Sequence, residues 1–168
     1  MSVAASELYG PAEARALLRL RVEELLSRYE RAIDDDDLES WPGFFTDDCE
    51  YGIYPRENDE AGLPMPLMLC RGKKMLQDRV LAHREANIFA PHVYRHFHGG
   101  LTVEEAGGVI TAVSSYVIVR TLQDGESHIY QAGRSADQIA ERDGRLLYAR
   151  RHITYDTLRV QTLLVTPV

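Results

Sequence analysis

The chain has 168 residues, 45% of them hydrophobic and 27% charged, with 26 acidic against 19 basic side chains and a net charge of -7. That length fits one compact domain over residues 1–168, burying roughly 70% of the surface its unfolded chain exposes, with residues 1–10 expected as a flexible tail. The acidic balance repels polyanions, and the arginines are scattered among carboxylates rather than gathered into the basic stripe that neutralises phosphates, so no nucleic-acid partner is expected.

From Pro11 to Ile33 the apolar residues Leu18, Val22, Leu25, Tyr29 and Ile33 recur at steps of four, three, four and four, with Arg15, Arg19, Glu23, Arg28 and Arg31 largely between them. This spacing predicts an amphipathic helix with Pro11 in its first turn. The run Asp34 to Asp37 breaks it. Asp37 is placed to cap a short second helix, LESWPGFF, with Leu38, Trp41, Phe44 and Phe45 as its apolar members. The acidic run lacks the spacing and turn glycine of a calcium loop, so a solvated cap is the better reading.

Asp47 to Tyr54 reads as a strand with Cys49, Tyr51 and Ile53 on one face, ended by Pro55. RENDEAGLPMP is expected as a surface loop, followed by the short apolar run LMLC. Lys73 to Ile88 reads as a helix with Leu76 and Val80 inward, started by Gly72 and stopped by Pro91. Four strand-like runs follow: His92 to Val103, Val109 to Thr121, His128 to Glu141 and Leu146 to Asp156. Leu158 to Val165 extends the last or adds another. Asp-Gly pairs between the later runs signal hairpins. Helices first and an antiparallel meander afterwards predict an α+β fold with a strongly curved sheet wrapped over the helices.

No apolar run reaches the length of a membrane span, and MSVAASELYG lacks the basic start and apolar centre of a secretory signal. A cytoplasmic protein without membrane association is expected, with Cys49 and Cys70 as buried free thiols.

Chemistry is sought first among the histidines. His92, Tyr94, His96 and His98 alternate along one strand and so face one side of the sheet. Successive members stand roughly 7 Å apart, which suits pocket or interface residues better than converging metal ligands, and no metal site is assigned. His152 is a further candidate. A general acid/base pair of His96 with Asp156, or with Asp48, in a cone cavity is the alternative reading. No G-x-S-x-G elbow, dinucleotide loop or Walker sequence is present, and the cysteines lack the histidines of a Rieske cluster.

The order of elements resembles the NTF2-like, or cystatin-like, cone. The stretches WPGFFTDDCEYGIYPRENDEAGL, MLQDRVLAHREANIF and HVYRHFHG resemble the small (beta) subunit of an aromatic-ring-hydroxylating dioxygenase. The specific parts are EYGIYPREN, the DRV helix and the YRH strand start. Within that family the sequence is most similar to small subunits paired with oxygenases for carboxylated arenes such as terephthalate, anthranilate or salicylate. The resemblance implies a structural subunit with no catalytic residue and no cofactor of its own. Its partner is a large (alpha) subunit carrying a Rieske iron-sulfur cluster (2Fe-2S) and a mononuclear iron, in an assembly of three large and three small subunits with the small ones self-associating as a trimer. Electron-transfer partners would act through the large subunit. It also implies interface roles for Arg95, His96, Arg150 and Arg151, together with Asp156, against which ordinary pairing within the sheet stands as an equal reading. The C-terminal run VQTLLVTPV suits burial either against a neighbour or in the core. The contrasting hypothesis is a stand-alone isomerase or dehydratase of the NTF2-like type, using a cavity histidine and a carboxylate.

Overall fold

The computed structural model describes residues 10–63, 65–86, 90–157 and 166–168. The expected tail, the last residues of the second long helix and the run Leu158 to Val165 lie wholly or mostly outside them.

Helix α1 spans Pro11–Asp34, and the Gly10 amide donates to Glu13 Oε2 at its start. The heptad-like stripe is buried as its spacing requires: Val22, Leu25, Tyr29 and Ile33 all turn inward. Its end is a property of the aspartates. The amides of Asp35, Asp36 and Asp37 return to the carbonyls of Arg31, Ile33 and Ala32, with Asp36 at φ 59°. Asp tolerates this left-handed conformation better than bulkier residues, so the chain turns sharply there.

The second helix expected over LESWPGFF is only a 3-10 turn, Trp41–Phe44. Pro42 has no amide to donate and Gly43 favours the unfolded chain, so four residues are all that close. Phe45 already belongs to strand β1, Phe45–Pro55. The expected surface loop after it begins with a short helix α2, Arg56–Glu60, and the apolar run becomes strand β2, Met68–Arg71. Helix α3 covers Lys73–Glu85, with Leu76, Val80 and His83 buried. The remaining strands are β3 (His92–Ala106), β4 (Val109–Leu122), β5 (Ser127–Arg142) and β6 (Arg145–Tyr155).

These strands form one sheet in the order β2-β1-β6-β5-β4-β3, antiparallel except for the β1/β6 pair. The β3/β4 and β5/β6 turns place Gly107 and Gly108, then Asp143 and Gly144, at positive φ, which tight hairpins need. Register shifts at Gly99/Thr102 on β3, at Ile118/Val119 on β4 and at Gln138/Ile139 on β5 bend the sheet around the helices. At Gly133 the neighbouring strand comes so close that any Cβ would collide with the Thr154 carbonyl.

The concave side is filled by rings. Tyr29, Trp41, Phe45, Tyr51 and Tyr148 meet mostly edge to face, with centroids 5.2–6.1 Å apart, and all five are at most 1% exposed. The Val168 carbonyl closes the cluster, accepting from Tyr29 Oη at 2.5 Å and Tyr51 Oη at 3.1 Å. Thr166 and Val168, the ends of the apolar C-terminal run that are described, are buried within this chain.

Candidate functional site

Helix α1 crosses β3 so that two carboxylates one helical turn apart meet two histidines two residues apart. The match is geometric: i to i+4 on a helix advances about 6 Å and i to i+2 on a strand about 6.7 Å. Asp34 Oδ1 lies 2.6 Å from His96 Nδ1, while its Oδ2 accepts the His96 amide at 3.0 Å. Glu30 Oε2 lies 2.7 Å from His98 Nδ1. The two hydrogen bonds to Asp34 fix the His96 ring and place the Nδ1 proton toward the carboxylate. His96 Nε2 is then buried and has no hydrogen-bond partner among the described residues. Such an imidazole has the orientation of a general base, yet the groove of about 430 Å³ beside α1 is lined by Arg28, Arg31, Asp35, Asp37, Phe44 and Arg145, not by His96 or His98.

The pairing of His96 with Asp156 or Asp48 that the alternative reading requires is not formed among the described residues. Asp156 sits just beyond β6, 2.6 Å from the Arg56 guanidinium of α2, and Asp48 is exposed on β1. Sequence separation hid the true partner: Asp34 is 62 residues from His96 and looked like a helix breaker. A usable signal was present, since Glu30 and Asp34 stand beside the apolar stripe of α1 rather than opposite it.

The four residues considered for interfaces divide. Arg95 and Arg150 project from the outer face of the sheet, about half exposed, beside Asp34 and Asp35 and beside Glu50 respectively. His96 faces inward, as described. Arg151 is enclosed by its own chain: its Nη1 lies 2.8 Å from Asp137 Oδ2, and its guanidinium carbon sits 4.4 Å from the Tyr29 ring and 4.9 Å from that of Tyr148. The internal-pairing reading therefore describes Arg151. Burial pushes the Asp137 carboxyl up to about 6 against the opposing pull of Arg151, while the guanidinium stays charged. Asp137 was legible only as a charge on the inward positions of β5, between Ser135 and Ile139.

His152 faces the other way, under α2. Its Nε2 lies 2.8 Å from Asp59 Oδ1, Thr154 Oγ1 donates to Asp59 Oδ2 at 2.6 Å, and the Tyr54 ring stacks on the imidazole at 4.2 Å. Partial burial opposes ionisation of Asp59, but the bonds from Thr154 and His152 outweigh it and hold the carboxyl below its usual range. This cluster pins α2 to the outer face of β6.

Among the described residues no three His, Cys, Asp or Glu side chains are grouped to hold a metal ion. Cys49 and Cys70 are buried and unbridged, and burial pushes the Cys49 thiol up to about 11 and raises that of Cys70. An iron-sulfur cluster takes four Cys or His ligands, and among the described residues these two cysteines have no grouped third ligand, so they do not fit one. No helix among the described residues is long and apolar enough to cross a membrane.

Comparison with known proteins decides what this arrangement belongs to. Residues 14–152 match the SnoaL-like domain. The chain is 46% identical over 145 residues to the anthranilate 1,2-dioxygenase small subunit of Burkholderia cepacia, covering 86% of this chain and 90% of that one. This chain belongs to the SnoaL-like family, among the small subunits of aromatic-ring-hydroxylating dioxygenases. A beta 2 subunit of the terephthalate 1,2-dioxygenase terminal oxygenase component from a Comamonas species is 30% identical over 150 residues, covering 89% of this chain and 97% of its own length. A crystal structure of a beta subunit assigned to such a dioxygenase in Novosphingobium aromaticivorans superposes with a TM-score of 0.83 at 40% identity, covering 91% of this chain and 98% of that one. The α+β cone expected from the order of elements is the fold of these small subunits.

Proposed function

We propose that this chain is the structural small subunit of the terminal oxygenase component of a dioxygenase that hydroxylates carboxylated arenes, in the class of terephthalate, anthranilate or salicylate. The observation that carries the reading is the 46% identity to an anthranilate dioxygenase small subunit across 86% of the chain. The polar interior is consistent with a scaffold: Asp34 with His96, Glu30 with His98 and Asp137 with Arg151 each occupy one another inside a single folded domain. In this reading the chain supplies no catalytic residue, and the Rieske cluster and mononuclear iron belong to a large-subunit partner. Three large and three small subunits assemble in the cytoplasm and receive electrons through the large ones.

Co-expression with a large subunit of this oxygenase class tests it. The two chains are expected to co-purify with iron and acid-labile sulfide, and turnover of a carboxylated arene is expected to require both. A His96→Gln complex is expected to keep the wild-type kcat per iron once assembled. Full assembly and iron content with turnover lost in that variant would place His96 in the chemistry and overturn the structural role.

A further inference from the structure

Strand β2 is the outermost strand of the sheet, with β1 beside it. Successive amides along a strand point to opposite sides, so half of an outer strand's amides face away from its neighbour. The Gly72 amide turns in to the Cys49 carbonyl at 2.7 Å, and the Arg71 amide therefore turns outward. An outward amide of this kind is a point where another strand could add, and proteins commonly cover it. Here the cover is a sulfur atom: the Arg71 amide donates to Met75 Sδ at 3.2 Å.

Chain geometry brings that sulfur into place. Gly72, at φ 81°, turns the end of β2 directly into α3, and Met75 is the third residue of that helix. The third helical position is the one from which Glu or Gln reaches back to a backbone amide in a capping box. Met75 reaches back one residue further and offers a thioether, which is a weak acceptor. Its side chain is 45% exposed, whereas Met68 is partly buried and packs against the core. The sulfur of Met75 is thus both accessible to a solute and committed to a specific hydrogen bond.

We infer that Met75 is a site of reversible oxidation, and that its sulfoxide holds the β2–α3 junction more tightly than its thioether does. With hydrogen peroxide as oxidant, a sulfur lone pair attacks one peroxide oxygen and the S–O bond forms as the O–O bond breaks. The proton on the transferred oxygen passes to the departing hydroxide, giving water; sulfur loses two electrons and the peroxide gains them. The sulfoxide oxygen carries the negative end of a strong dipole and accepts from the Arg71 amide where the thioether did so weakly. The first turn of α3, whose amides lack intrahelical partners, favours that negative end. Sulfoxides disrupt cores because they are polar, but a half-exposed side chain keeps its new oxygen in contact with water. The unbranched methionine chain has the torsional freedom to draw the sulfur back and let the oxygen take its place.

The test uses the purified full chain carrying Met65→Leu, which removes the more exposed methionine at 63%. After dilute hydrogen peroxide, peptide mapping by mass spectrometry is expected to find sulfoxide at Met75 well before Met68. Hydrogen exchange at the Arg71 amide, read by NMR on labelled protein, is expected to slow by roughly three- to tenfold on oxidation, the factor that one strengthened hydrogen bond gives. Reductases acting on both sulfoxide epimers are expected to restore the original rate. Adding Met75→Leu is expected to speed exchange at Arg71 and to make it indifferent to peroxide, which separates Met75 from any other oxidised site. Met75→Gln, with a carbonyl oxygen at similar reach, is expected to protect that amide without oxidant. Oxidation of Met75 no faster than that of Met68, or an Arg71 amide that exchanges as fast or faster in the sulfoxide form, overturns the inference.

Discussion

Replacing Arg151 with methionine removes the cation that faces Asp137 across 2.8 Å and leaves that carboxylate in a site where both side chains are at most 5% exposed. An uncompensated buried charge of this kind costs about 3–5 kcal/mol, because water can no longer solvate it and no protein charge replaces the loss. For a domain of this size that is a fall in Tm of roughly 6–20 °C. Urea unfolding followed by fluorescence of Trp41, the one tryptophan and fully buried, reads the change directly. The penalty should depend on pH. The folded-state pKa of Asp137 is raised by burial to about 6, above its unfolded value, so its contribution is favourable below the unfolded pKa and is lost as pH rises through about 6. Arg151 pulls that value down, so Arg151→Met should raise it further, and the destabilisation should shrink as pH falls below the raised value and Asp137 takes up a proton. Adding Asp137→Leu should recover most of the loss at pH 7, since exchanging both charges for apolar groups is often neutral. A penalty under about 1 kcal/mol, or a double variant no more stable than the single one, would refute the claim that the pair's burial sets its cost.

Other perturbations probe different layers. Asp34→Ala strips His96 of two hydrogen bonds and should cost about 2–3 kcal/mol in the same urea assay, with a loss under about 0.5 kcal/mol counting against a structural role for that pair. Gly133→Ala forces a Cβ into the Thr154 carbonyl and within 2.8 Å of Tyr155 Cα, so it should destabilise by about 1–3 kcal/mol or more, whereas Gly43→Ala, with nothing within 4 Å, should stay within about 0.5 kcal/mol of wild type. Equal thermal shifts for the two glycine variants would contradict the close strand approach. Both thiols should resist a disulfide exchange reagent at pH 8 in the folded protein and react fully in urea, because burial raises each of them. Rapid labelling of the native chain at either cysteine would argue against their burial.

Much of the framework was legible along the chain. The steps between Leu18 and Ile33 named the inward stripe of α1, and the alternation of Cys49, Tyr51 and Ile53 named the inward face of β1, because helix and strand periods depend only on backbone geometry. The same rule put His92, Tyr94, His96 and His98 on one side of β3. Local rules failed where residues compete: Pro42 and Gly43 reduced an expected helix to a 3-10 turn, and RENDEAGLPMP yielded a short helix because Asp59 finds His152 and Thr154 across the sheet.

The sequence alone determined the two long helices, the order of the strands, the acidic balance and the resemblance to oxygenase small subunits, all of which reside in spacing and composition. Only the tertiary structure decided which charges meet. Asp34 and His96 are 62 residues apart, and Asp59 and His152 are 93 apart. Asp137 and Arg151 face each other across β5 and β6, and their strand pairing had to be formed before either partner could be read. Electrostatic contact depends on separation in space, and a chain folded into a curved sheet sets that separation through register and curvature rather than through distance along the sequence.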